Sequence, residues 1–158
     1  MFRPMRRPEK ALSDGAARRL LLQARRGVLA VNGDDGYPYA CPVNSLYDPS
    51  AGKIYFHGAA RGHKADALRR CDKACFTVYG GERRAEGEWA PYLQSAVIFG
   101  RCRLIADRDV TAETVRRLVR KYYPDEDAIE VEMQKAGRAV QLYERTVEHM
   151  TGKEIQEK

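Results

Sequence analysis

Two turn signals set the first limit on what this chain can become. Asp34-Asp35-Gly36 and Asp48-Pro49-Ser50-Ala51-Gly52 separate three short apolar runs, residues 27–32, 37–47 and 53–58. A short turn returns a strand beside the one it has just left, so the three runs are expected to pair antiparallel. A parallel pair would need a crossover of about a dozen residues or more between its strands. The middle run carries Pro38 and Pro42. Proline cannot donate to a ladder, which places this run at an edge or a bulge.

The rest of the chain continues in the same style. Ser13 caps a helix over 14–26, with Leu20, Leu21 and Ala24 on its apolar face and Gly27 ending it. Residues 59–71 open as a Gly-containing loop and become a short helix at His63 or Lys64. Strands are expected at 74–80 and 92–107, with Gly100 bending the second, and an exposed loop at 81–89 lies between them. Thr111 caps a helix that runs to Tyr123 and is stopped by Pro124; a further helix covers 125–137 and a last strand 139–150. The fold class is mainly β with flanking helices (α+β), a six-stranded antiparallel barrel rather than a parallel sheet. The expected division is a basic arm over 1–12, one domain over 13–153 and a frayed tail over 154–158.

Composition excludes several classes. With 158 residues, 44% of them hydrophobic, the chain has material for one core and is not of disordered type. No apolar run approaches the roughly 18–20 residues of a membrane helix. The start, MFRPMRRPEK, lacks an apolar segment, so no secretory signal is expected and the expected compartment is the cytoplasm. Residues 1–26 hold eight basic and two acidic side chains, while the remainder balances at 20 of each. The excess therefore belongs to the arm and first helix, and a solvated arm is favoured over nucleic-acid binding. Cys41, Cys71, Cys75 and Cys102 are expected to be free thiols; with no second close ligand pair, no metal site is assigned.

The stretch IYFHGAARGHKADALRR (54–70) carries the most chemistry. A strand ends at His57-Gly58, a loop follows, and a helix begins beside Arg61 and Lys64. Free backbone N–H groups at a helix start attract anions, and the two cations add charge, which suits a phosphate. The plainer reading is an ordinary strand–loop–helix connection with solvated basic residues. Asn44 and Ser45 could hydrogen-bond the edge of a heterocycle or face water. Trp89 reads equally as a loop anchor or a stacking platform. Arg116, Arg117, Arg120 and Lys121 read as the solvated face of their helix.

Taken in order, GVLAVNGDDGYPYACPVNSLYD, GKIYFHGAARGHKADALRR, CFTV, YLQSAVIFGRCRLI and HMTGK resemble the FMN-binding split-barrel proteins related to pyridoxamine 5′-phosphate oxidase, and most of all their nitroimidazole-resistance branch. The resemblance covers roughly residues 10–153. It implies a homodimer with two FMN sites at its interface. Ala59, Gly62, His63 and Lys64 would hold the phosphate. The ring would run along Pro42, Val43, Asn44 and Ser45 and along Tyr55, Phe56, His57 and Gly58, with the partner copy contributing Tyr92, Ser95 and the HMTGK segment. His57 would be the polar group nearest the reaction centre. The implied activity is FMN-dependent oxidoreduction, with a nicotinamide donor and a small-molecule acceptor such as a nitro compound. The Arg-rich substrate-phosphate motif and C-terminal substrate segment of the oxidase proper have no match, so pyridoxamine-phosphate oxidation is not expected. A deazaflavin or haem in place of FMN, and a non-enzymatic flavin-binding role, are the alternatives.

Overall fold

The computed structural model describes residues 1–123 and 125–157. Its elements in chain order are α1 (Asp14–Gln23), β1 (Arg26–Asn32), β2 (Pro38–Asn44), β3 (Leu46–Asp48), β4 (Lys53–Gly58), α2 (His63–Arg70), β5 (Lys73–Arg83), β6 (Tyr92–Leu104), α3 (Arg108–Arg120), α4 (Glu126–Ala136) and β7 (Gln141–Gln156). The strands form one antiparallel sheet in the order β2-β1-β5-β6-β7-β4-β3.

That order forces the sheet to curl. β2 and β3 are its two edges, yet Ser45 alone joins them. A chain cannot place consecutive strands at opposite edges of a flat sheet. The edges therefore meet at Ser45, and β2 lies alongside β4 across a seam that carries no described ladder. The result is a split barrel with flanking helices, as expected, but with seven strands in place of six. The difference is the run 37–47, which breaks at Ser45. There the backbone leaves one ladder before joining the next, and side chains of α3's C-terminal turn take over its hydrogen bonds. The Ser45 N–H donates to Tyr122 Oη at 2.8 Å, and that hydroxyl reaches the carbonyls of Ser45 and Arg25. Lys121 Nζ donates to the carbonyls of Ala24 (2.6 Å) and Ser45 (3.0 Å).

The barrel is filled from alternate strand positions. Leu29, Ile54, Phe56, Phe76, Val78 and Ile98 are fully enclosed, and α1 closes one end with Ala17, Leu20 and Leu21. Gly100 sits at the register shift between β6 and β7, where a Cβ would collide with the Thr146 carbonyl. Arg145 lies inside the barrel, donating to the carbonyls of Ala74 and Ile98. Burial pushes its pKa down to about 10, which still leaves it charged at neutral pH. All four cysteines are free thiols. Among the described residues no helix is long and apolar enough to cross a membrane.

Several boundaries differ from expectation. α1 stops at Gln23, because Ala24 is already extended and leads directly into β1. α3 begins three residues before Thr111. Asp107 is its cap, its carboxylate accepting from the N–H groups of Asp109 and Val110, and Thr111 is buried. β5 continues through Gly80 and Gly81 to Arg83, and β6 ends at Leu104. Residues 154–156 are not frayed: they pair with β6, and Glu154 accepts from Arg83 and Gln94. The arm is exposed for most of its length but not free. Phe2 stacks on His149 with ring centroids 4.7 Å apart, and Ala11 bridges to Lys153. Pro124 lies outside the described residues.

Tyr122→Phe should lower the unfolding free energy by about 1–3 kcal/mol, the cost of a buried N–H left without its acceptor. A urea titration with an unchanged midpoint would show that the corner at Ser45 is held without this hydroxyl.

Candidate functional site at the barrel seam

The seam between β2 and β4 presents the outward residues of both strands. On β2, Val43 points into the core, so Pro42 and Asn44 point out. On β4, Ile54 and Phe56 point in, and His57 points out at the strand end. The β3–β4 ladder ends with Leu46 opposite Tyr55, and β2 lies beside β4 beyond that point. Pro42 and Asn44 of β2 and His57 of β4 therefore all point away from the core. Not every expected residue does so. Phe56 stacks on Tyr143 inside the barrel at 4.8 Å, Tyr55 lies under α3 with Val115 and Leu142, and Ser45 is fully buried with its Oγ enclosed.

Past Gly58 the chain turns into α2. Gly62 takes φ +107° at the helix N-cap, where no side chain caps the first turn. The Asp66 N–H bonds back to the Gly62 carbonyl, leaving the earlier N–H groups of the helix to point outward. A helix start left in this state is of the kind that attracts anions. His63 is engaged elsewhere: its ring stacks on Tyr39 at 4.1 Å, and its Nε2 lies 3.4 Å from Asp34 Oδ2. Lys64 Nζ lies over the rings of Phe56 (5.3 Å) and Tyr143 (5.0 Å), and a Cβ at Gly58 would be 3.0 Å from it. Its charge is therefore held at the barrel mouth, next to the strand end. The Ala59 carbonyl accepts from Tyr143 Oη at 2.6 Å, which fixes the loop between.

His57 keeps solvent contact, but protein fills much of the volume around its ring. That burial lowers its pKa first, and the nearby Lys64 charge lowers it further. The imidazole is therefore uncharged at neutral pH, with one N–H donor and one acceptor nitrogen.

Tyr92 and Ser95 stand far away on the same chain. His57 faces Leu142 on β7, whereas Ser95 faces Lys153. At about 3.3 Å per residue, the eleven residues of β7 from Leu142 to Lys153 span about 36 Å of strand. Trp89 projects into solvent and does not pin its loop.

The sequence profile of the pyridoxamine 5′-phosphate oxidase family matches residues 13–154. The chain belongs to this family. Solved structures that resemble this family member confirm the fold. One is a candidate 5-nitroimidazole antibiotic resistance protein of Bacteroides thetaiotaomicron, with TM-score 0.78 and 23% identity over 92% of this chain and 87% of that one. Another is a flavocytochrome of Azotobacter vinelandii, at 0.74 and 22% over 95% and 71%. A third is the FAD and heme binding protein of Mycobacterium smegmatis, at 0.73 and 21% over 94% and 74%. No sequence match was found among curated proteins.

Sequence reasoning missed the role of α3's basic face. Those side chains are not simply solvated. Arg116 makes a bidentate pair with Glu130, Arg120 another with Glu126, Arg117 reaches Asp48 at 3.0 Å, and Lys121 holds the Ser45 corner. Arg108 donates to the carbonyls of Gly137, Arg138 and Val140 beyond α4. The available signal was local: acidic residues 126, 130 and 132 open the next helix opposite these arginines.

A proton NMR titration should place His57 below the usual value of 6.5. Lys64→Met should move it upward, since removing a nearby cation favours the imidazolium. A His57 titration indifferent to Lys64 would mean that the two side chains do not interact.

Proposed function

We propose that this member of the pyridoxamine 5′-phosphate oxidase family is a flavin-dependent oxidoreductase that binds FMN along the β2–β4 seam of a homodimer. The observation that carries the reading is the uncapped α2 N-terminus standing at the end of a seam lined by Pro42, Asn44 and His57. The first-turn N–H groups of α2 suit a phosphate, and Lys64 adds charge at the same end. Pro42 offers a flat apolar surface, and the Asn44 amide can both donate to and accept from the edge of a heterocycle. A bound flavin supplies two-electron redox chemistry between a nicotinamide donor and a small acceptor. The chain orients the two reactants and keeps the site apolar. His57 holds an N–H toward the acceptor, and the neutral form of the ring suits that task.

A second copy is part of the proposal. The outward face of β1 and β5 leaves Val28 and Tyr79 exposed, an apolar surface that a partner barrel would cover. Tyr92 and Ser95 lie too far from their own His57 to share a site with it, so only the partner's copies could join it. The FAD named for the mycobacterial protein and the nitroimidazole resistance named for the Bacteroides protein support the choice of flavin and of a nitro compound as the acceptor to try.

Purified protein reconstituted with FMN or FAD should show flavin absorbance after desalting and sediment as a dimer. Lys64→Ala should weaken FMN binding by about tenfold or more, in line with the loss of a charge-assisted contact to phosphate. Unchanged affinity would remove Lys64 from the phosphate site. A protein that retains neither flavin would overturn the proposal. His57→Ala should bind flavin normally and turn over a nicotinamide donor with a nitro compound more slowly; full turnover would exclude a role for this ring.

A further inference from the structure

The positive charge of this chain is concentrated, and left without carboxylate partners, in its first 26 residues. Arg3, Arg6, Arg7, Lys10, Arg18, Arg19, Arg25 and Arg26 stand there against Glu9 and Asp14. All of these cations but Lys10 are exposed. Among the described residues, every ion pair draws its basic partner from position 53 or beyond, so none of the eight is paired. Arg18 and Arg25 touch neutral groups instead: Arg18 donates to Tyr47 Oη at 3.0 Å, and the Arg25 guanidinium lies 5.3 Å from the centre of the Tyr122 ring. Such contacts position a cation without cancelling its charge. α1 turns Ala17, Leu20 and Leu21 inward, so Arg18, Arg19 and Leu22 share its outer face, and Arg25 and Arg26 follow directly. Leu22 is 42% exposed in the middle of that face.

We propose that the outer face of α1 and the arm before it form a peripheral docking surface for a membrane rich in anionic phospholipid. Charge complementarity calls for an anionic partner, and each basic side chain near such a membrane strengthens binding about fivefold. Leu22 favours lipid over nucleic acid. An exposed leucine set among arginines gains by entering the headgroup boundary, and gains little against a row of phosphates. A nucleic-acid surface would meet bases with aromatic rings or polar side chains. The arm's one aromatic residue, Phe2, is already stacked on His149. The surface is separate from the outward β1–β5 face proposed for a second copy, because α1 packs Leu20 and Leu21 into the barrel interior. The attachment is peripheral, since no described helix is long and apolar enough to cross a bilayer.

Co-sedimentation of the full-length protein with extruded vesicles tests this. Vesicles of phosphatidylcholine with about 30% phosphatidylglycerol should carry the protein down at low salt, and pure phosphatidylcholine should not. Sodium chloride at about 0.5 M, which screens charges beyond a few ångströms, should release it. Arg6→Gln with Arg7→Gln, and separately Arg18→Gln with Arg19→Gln, should each lower the partition coefficient about tenfold or more. Lys135→Gln with Arg138→Gln removes the same charge from exposed side chains elsewhere, and should leave it nearly unchanged. Failure to sediment with anionic vesicles overturns the proposal, as does a loss in the Lys135–Arg138 variant equal to the loss in the other two. Should the Arg18–Arg19 variant not fold, the Arg6–Arg7 variant, altered only in the exposed arm, decides alone. Leu22→Ala should weaken vesicle binding several-fold. A short DNA duplex that strips the protein from anionic vesicles, and that Leu22→Ala binds as tightly as the unaltered protein, would overturn the proposal and give the surface to nucleic acid. Flavin uptake enters none of these readouts, so this inference and the function proposed above fail separately.

Discussion

The two edges of the sheet meet at one residue, and Ser45 can be there because α3 holds it. Its backbone belongs to neither the β1–β2 ladder nor the β3–β4 ladder. A peptide buried without partners would cost several kcal/mol, so some other element has to supply them. Tyr122 and Lys121 do so from just past the end of α3, 77 and 76 residues later in the chain. The seam then opens at a defined place, with β2 beside β4 but unpaired with it. The same contact fixes where α3 can lie, and so where α4 can lie. The Arg25 carbonyl, reached by the same hydroxyl, ties the start of β1 to that corner.

Most of the barrel was legible because its turns are written in local chemistry. Asp35 at φ +53° and Gly36 at φ +79° make the tight return between β1 and β2 that the DDG sequence announces. Gly100 marks a bend because any side chain there meets the next strand's backbone. Apart from the helix boundaries and the local Arg116–Glu130 and Arg120–Glu126 pairs, the misses share one cause, namely partners distant in sequence. Nothing near Ser45 signals a break, since the residues that make it stable come after position 120. The polar segment 154–156 resembles a loose end until its pairing with β6 is known. Arg117 looks solvated until Asp48, the last residue of β3 and 69 positions earlier, is brought to it. In the site the same limit applies. The spacing of His57, Gly62, His63 and Lys64 showed the strand–loop–helix connection, but not that His63 would be taken up by Tyr39 and Asp34.

Lys64 illustrates how the fold adjusts charge without a carboxylate partner. Its ammonium lies over two stacked rings, Phe56 and Tyr143, whose faces are weakly negative. That arrangement keeps a cation at the barrel mouth without neutralising it. An aspartate or glutamate in the same place would pair with it and cancel its field, leaving His57 only the larger lowering that burial causes. Aromatic rings leave the field intact, so it adds to the burial that keeps His57 neutral and still acts at the start of α2. One placement therefore both adds to the His57 shift and puts a cation beside the start of α2.

The long β6–β7 arm gives the last constraint. Both strands run well past the level of the seam, and their far ends are held by Arg83 and Gln94 on Glu154 and by Gln156 on Glu88. An extension fixed this firmly is not needed to close the barrel, which is already filled by alternate residues nearer its centre. It carries Tyr92, with Arg83 stacked 4.2 Å above its ring, to a position no residue of the same seam can reach. In the homodimer proposed above, this aromatic surface would meet the partner copy. In a twofold dimer each arm would cross the partner's barrel, so the two seams would be completed together or not at all.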